Sequence, residues 1–135
     1  MRRPSVPELL AQLAAKGPQD CVRHEGLMKK RGRLVTTWRL RWFVLERGVL
    51  RYFERRDGVL KGTLQLFGEG VECRRLDSND VHAKGAGRGE VALVVRAGRR
   101  ELFLRVFGEA EAQLWVARIN SHAGWATQSW IDSTR

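Results

Sequence analysis

Cysteine is scarce in this chain: Cys21 and Cys73 are the only two among 135 residues. Two thiols are too few for the disulfide framework of a small secreted domain, and they fit a reducing compartment. Long apolar runs are missing too, since no stretch approaches the roughly 18 residues that span a bilayer. Arg2 and Arg3 open the chain, but Glu8 and Gln12 interrupt the short apolar stretch behind them, so a cleaved leader is not expected. Neither a Met-Gly start nor a C-terminal Cys-a-a-X lipidation signal is present. A cytosolic chain is the simplest expectation.

Patterns that carry chemistry are equally scarce. His24, His82 and His122 have no companions at metal-ligand spacing. Nothing marks a nucleophile or an oxyanion hole, and Asp77 and Asp80 read as loop acids. The glycines between 85 and 89 lack the Gly-Lys-Ser/Thr that makes a phosphate loop. No catalytic residue, metal or cofactor is expected.

What is present is positive charge. The chain has 25 Lys/Arg against 15 Asp/Glu, a net +10. Residues 23 to 61 hold twelve of those cations and four of the acids, so +8 of the +10 lies there. Most are arginines, whose planar fork grips phosphate oxygens bidentately. Charge implies an anionic partner without naming it.

Residues 1–20 read as an appendage. Ser5-Val6-Pro7-Glu8 is a capping box, Leu9, Leu10 and Leu13 make one apolar stripe, and Gly17-Pro18 stops the helix. So short a helix needs a surface to pack on, its own domain or a partner. From His24 onward, runs of four to eight residues between glycine-bearing turns predict strands near 25–31, 38–46, 49–55, 61–66, 70–75, 90–96 and 100–106. Leu76 to Gly89 is polar and glycine-rich, the expected long mobile loop. Ala112, Trp115, Ile119 and His122 then follow helical spacing, predicting one helix over 109–122. Seven strands and one helix fit a barrel or sandwich whose open end the helix plugs. The remainder carries Trp125 and Trp130 and is left as a tail, 124–135.

Strand parity locates the charge. Phe43 and Leu45 should face the core, and Arg39 and Arg41 share their face nearer the start of the strand. Unpaired arginines cannot be buried, because desolvation costs several kcal/mol each. That row must therefore leave the core where the barrel opens. Lys30, sharing parity with Met28, and Tyr52, sharing parity with Leu50, reach the same rim from neighbouring antiparallel strands. The first hairpin loop overhangs it with Arg33 and the apolar pair Leu34-Val35. Lys29, Arg31, Arg55, Arg56, Lys61, Arg99 and Arg100 supply a secondary basic rim. Trp42 and Phe43 are expected in the core.

Gly26-Leu27-Met28-Lys29-Lys30, Trp38-Arg39-Leu40-Arg41-Trp42-Phe43-Val44-Leu45 and Leu50-x-Tyr52-Phe53 resemble the opening of a pleckstrin homology (PH) domain. Gly62-x-Leu64-x-Leu66 resembles its fourth strand and Trp115 the tryptophan of its closing helix, with coverage of about residues 23–123. The resemblance implies a mainly β fold: a seven-stranded antiparallel barrel capped by a C-terminal helix, here with a short extra N-terminal helix. Lys30-x8-Arg39-x-Arg41-Trp42-Phe43 is similar to the basic pattern of members that bind 3-phosphorylated phosphoinositides. The pattern is nearest to that of the protein kinase B domain. By that resemblance Lys30 and Arg41 would clamp the 3-phosphate region, Arg39 would reach neighbouring phosphates, and Tyr52 would bond near the 4-phosphate. Arg33 stands where that relative carries an acid, which implies a broader preference extending toward 4,5-bisphosphate. The implied function is reversible recruitment to an anionic membrane, with Leu34 and Val35 dipping into the interface.

Two other readings stand beside it. One is a protein-interaction or self-association module using Leu9, Leu10 and Leu13 or the tail tryptophans. The other is a nucleic-acid binder stacking bases on Tyr52 and Trp38, disfavoured because the aromatics read mainly as core.

Overall fold

The computed structural model describes residues 21–34 and 36–133. The strands are β1 (His24–Arg31), β2 (Trp38–Glu46), β3 (Val49–Phe53), β4 (Leu60–Gln65), β5 (Glu72–Arg75), β6 (Glu90–Ala97) and β7 (Arg100–Phe107). One helix, α1 (Glu109–Ser133), follows them. Every strand lies within two residues of the span its alternation predicts. All pairings are antiparallel, in one sheet of order β4-β3-β2-β1-β7-β6-β5. β1 pairs with β2 along its whole length but meets β7 only at Lys29↔Arg105 and Lys30↔Leu104.

Inward residues of both halves form one core around Met28, Phe43, Leu45, Leu50, Leu93 and Leu104, all fully buried. The helix presses Ala112, Trp115, Ile119 and His122 into it. Trp115 meets Phe43 edge-on, ring centroids 6.4 Å apart, the offset geometry aromatic pairs favour. His122 ties the helix to the hairpin between β2 and β3: its Nδ1 accepts the Gly48 N–H at 3.0 Å, and its Nε2 donates to the Val22 carbonyl at 2.8 Å. Gly48 has φ of 75°, and a Cβ there would lie 2.7 Å from Ala126, so both conformation and space require glycine. Asn120 serves the edge strand β5. Its amide accepts from the Cys73 N–H at 2.8 Å and donates to the Cys73 carbonyl at 2.9 Å, replacing the missing neighbour strand.

Three expectations change. The helix does not end at His122 but continues to Ser133, so the tail expected from 124 is helical that far. No proline interrupts it, and its last turns have partners: Thr127 Oγ1 accepts the Gly68 N–H at 3.1 Å, and the Trp130 ring lies 6.1 Å from Phe67. The segment from 76 to 89 is anchored rather than loose. His82 stacks on Phe103 with centroids 3.6 Å apart, and Arg105 donates to the Lys84 carbonyl at 2.8 Å. Trp42 is on the outer face, not in the core, because the strict alternation of β2 that buries Phe43 and Leu45 turns Trp42 outward. The N-terminal stripe of Leu9, Leu10 and Leu13 lies outside the described residues, as does Val35.

Candidate functional site

The sheet register builds one mouth. On the inner face of β1 and β2, Lys30 lies opposite Arg39 and Met28 opposite Arg41. One step further in, Phe43 lies opposite Tyr52, and Tyr52 opposite Gly62 on β4. A gradient therefore runs along this face, from the sealed core at Phe43 to exposed Arg39 at the rim. The hairpin loop beyond is closed by the Gly32 N–H donating to the Thr37 carbonyl at 2.9 Å. Its Arg33 is exposed, and its Leu34 is 98% exposed.

Lys30 is the unusual member. Only 9% of it is exposed, its Nζ donates to the Arg31 carbonyl at 3.3 Å, and that cation rests 4.9 Å from the centroid of the Tyr52 ring. Burial pushes its pKa down, and the charges of Arg100, Arg33 and Arg41 push the same way. Among the described residues no carboxylate pairs with Lys30, Arg33, Arg39 or Arg41. Cations that repel one another without a counter-ion are costly unless an anion enters among them.

Tyr52 supports this site from below rather than presenting its hydroxyl at the rim. It is 7% exposed, and its hydroxyl accepts from Arg100 at 3.3 Å. Its phenol lies across Gly62, where a Cβ would come within 2.2 Å of the hydroxyl oxygen. Arg100 also donates to the Thr63 carbonyl at 2.8 Å, so it spans from β7 to β4 across the mouth. Sequence reasoning placed Arg100 only in the secondary rim, because nothing local reveals that the ends of β7 and β4 meet.

The other secondary cations divide. Arg31, Arg33, Arg99 and Arg100 line a shallow cavity of about 260 Å³ with Gly32, Glu101 and Phe103. Arg55 and Lys61 are exposed in and just after the β3–β4 connection. Two residues leave the mouth for the outer face. Lys29 pairs with Glu90 at 2.7 Å, as its alternation with Lys30 requires. Arg56 folds back over the Trp42 ring, 5.5 Å from its centroid. A further outer-face arginine, Arg105, stacks 3.9 Å from the Trp38 ring, which occupies the tryptophan that base stacking would need. Among the described residues no group of His, Cys, Asp and Glu could hold a metal ion, and no helix is long and apolar enough to cross a membrane.

Comparison with known proteins agrees with this architecture. The family model described as the PH domain matches residues 22–124. Pleckstrin homology domain-containing family A member 3 of Homo sapiens is 29% identical over 97 residues, covering 72% of this chain and 30% of that protein. Human pleckstrin-2 is 30% identical over 112 residues, covering 78% and 30%. The chain thus matches less than a third of the length of these relatives. Among solved structures, the PH domain of human oxysterol binding protein-related protein 11 aligns with a TM-score of 0.61 at 30% identity, over 79% of this chain and 84% of that one. The C-terminal PH domain of pleckstrin, in complex with D-myo-Ins(1,2,3,4,5)P5, aligns at 0.52 and 18% identity, over 77% and 96%, a likeness of fold alone.

Proposed function

The chain belongs to the PH domain family, and on that premise we propose that it is a phosphoinositide-binding module that brings its protein to anionic membranes. One observation carries the reading: buried Lys30 feels the positive charges of Arg100, Arg33 and Arg41, and among the described residues no carboxylate pairs with it. A phosphorylated inositol ring supplies the missing anion, with several oxygens for several donors. Lys30 and Arg41 hold the deepest phosphate, Arg39 takes a neighbouring one, and Arg33 adds charge from the overhanging loop. Tyr52 acts by holding Lys30 and Arg100 in place. The pattern Lys30-x8-Arg39-x-Arg41 supports a likeness to the protein kinase B domain, and Arg33 supports a preference that extends to 4,5-bisphosphate.

Recruitment has two stages. The net charge draws the mouth toward an anionic leaflet, worth about 1 kcal/mol per cation near the surface. Short hydrogen bonds to phosphate then fix one headgroup, while Leu34, almost wholly exposed at the loop tip, enters the interface with Val35. The first stage weakens with salt and the second much less. A second reading, contact with a protein partner, is favoured by the half-exposed Phe67–Trp130 pair at the end of α1 and by the leucine stripe at Leu9, Leu10 and Leu13.

Co-sedimentation with vesicles that each carry one phosphoinositide tests the proposal. Wild type should separate headgroups, and Arg39→Ala and Arg41→Ala should lose that binding. Equal binding by all three proteins, or binding that ignores headgroup identity, contradicts it.

A further inference from the structure

We infer that the second half of α1 is the docking surface for the chain's own residues 1–20, which lie antiparallel to it with the leucine stripe on the helix and Arg2 and Arg3 at Asp132. The inference stands apart from the phosphate mouth. Trp125, in the middle of this surface, lies beside Gly48 in the β2–β3 turn, where a Cβ would come within 3.5 Å of its ring, at the other end of β2 from Arg39.

Cys21 and Val22 are held against the middle of α1. His122 Nε2 donates to the Val22 carbonyl at 2.8 Å, and the Cys21 thiol donates to the Ser121 carbonyl at 3.8 Å. Residues 1–20 therefore join the domain halfway along the helix. From that point Ser121, Trp125, Gln128 and Asp132 follow at spacings of four, three and four, which is one face of an α-helix. Thr127 and Trp130, which meet Gly68 and Phe67, lie on the far side. The face from Ser121 to Asp132 runs about 16 Å at 1.5 Å per residue. A helix opened by the Ser5 capping box and stopped by Gly17-Pro18 has about that length, and its Leu9, Leu10 and Leu13 would cover Trp125 and the stem of Gln128.

Asp132 supplies the charge argument. It stands in the last turn of α1, yet is only 4% exposed. Gln128 Nε2 donates to its Oδ1 at 3.0 Å, while its buried Oδ2 has no hydrogen-bond partner among the described residues. A buried, half-satisfied carboxylate at the negative end of a helix dipole is unfavourable unless positive charge faces it. An antiparallel segment brings that charge twice. Its helix N-terminus, the positive end of its dipole, comes to Asp132, and Arg2 and Arg3 precede that terminus. A second copy of the chain carries the same segment, but the tethered one is present at about millimolar effective concentration across so short a link.

Hydrogen–deuterium exchange of the full chain, read by mass spectrometry, tests the docking. In the wild type, amides of 6–16 and 125–133 should be protected together. Leu9→Asp with Leu13→Asp should speed exchange in both stretches about tenfold or more, the weight of one well-buried leucine, and leave β2 unchanged. Asp132→Lys should release 6–16 in the same way. Arg2→Glu with Arg3→Glu added to that variant should restore protection, a rescue that general misfolding of α1 would not give. Wild-type 6–16 exchanging like an unfolded chain overturns the inference, as does unchanged exchange of 125–133 after the leucine substitutions. Protection of 6–16 that fades on dilution overturns it as well, because it would assign the contact to a second copy.

Discussion

The Arg100 guanidinium donates to the Thr63 carbonyl at 2.8 Å, joining the first residue of β7 to the edge strand β4 across the mouth of the barrel. Its other terminal nitrogen donates to the Tyr52 hydroxyl at 3.3 Å, so one side chain fixes both the width of the mouth and the ring beneath Lys30. Arg100→Ala should therefore cost stability as well as binding. Two hydrogen bonds from a charged donor are lost, up to about 3–6 kcal/mol at 1.5–3 kcal/mol for each such bond. Urea denaturation checks this; an unchanged midpoint would show that the bridge contributes nothing.

Gly62→Ala should act on Tyr52 from the opposite side. The new methyl would lie 2.2 Å from the phenol oxygen, and Tyr52 is too enclosed to move freely. Overpacking of this kind costs about 1–3 kcal/mol. Urea denaturation and vesicle binding should both worsen, because displacing the ring also displaces the support of Lys30.

His122 makes stability fall in mild acid. Its buried ring is neutral, with Nδ1 accepting from Gly48, and burial holds its pKa below the usual value. An unfolded chain takes up the proton near pH 6.5, where the folded chain does not. Below that pH the unfolded state binds more protons, so stability is complete above about 6.5 and declines as pH falls toward the folded pKa. Denaturation midpoints at pH 7.5 and 5.5 measure this, with His122→Gln as the control whose extra acid sensitivity should disappear. A wild-type midpoint independent of pH over that range would contradict it.

Asn120→Ala should loosen the edge strand. Both main-chain groups of Cys73 lose their partner, about 1–3 kcal/mol. Cys73 is buried, with its thiol pushed up to about 12, and should resist alkylation in the wild type. Faster labelling of Cys73 in Asn120→Ala, with α1 intact by circular dichroism, would show β5 opening locally.

Strand parity alone carries most of the fold into view. Alternation around Phe43, Leu45 and Leu50 gives the strands, the inner face and the placement of Arg39, Arg41 and Lys30 near one end. The same alternation, applied more strictly, would have moved Lys29 and Trp42 to the outer face. Other features depend on contacts distant in sequence. Arg100 reaches Thr63 across 37 residues, and Asn120 reaches Cys73 across 47. The stacking of His82 on Phe103 likewise needs the sheet to exist before the connection can lie on it. The extension of α1 past Gly124 was hidden because small and polar residues dominate that stretch: Trp125 falls beside the earlier stripe, and Trp130, three turns beyond Ile119 on the same face, is only partly covered.

The central claim is that phosphate binds in one built mouth rather than to diffuse positive charge. Arg41→Ala and Arg56→Ala test it most directly, because each removes one charge from the same stretch of chain. Arg41 faces the mouth, and Arg56 lies over Trp42 on the outer face. Affinity for phosphoinositide vesicles at physiological salt should fall about tenfold or more for Arg41→Ala, the loss of a hydrogen bond to a charged group. It should change only slightly for Arg56→Ala. Equal losses in the two variants would mean that net charge, not the mouth, holds the membrane.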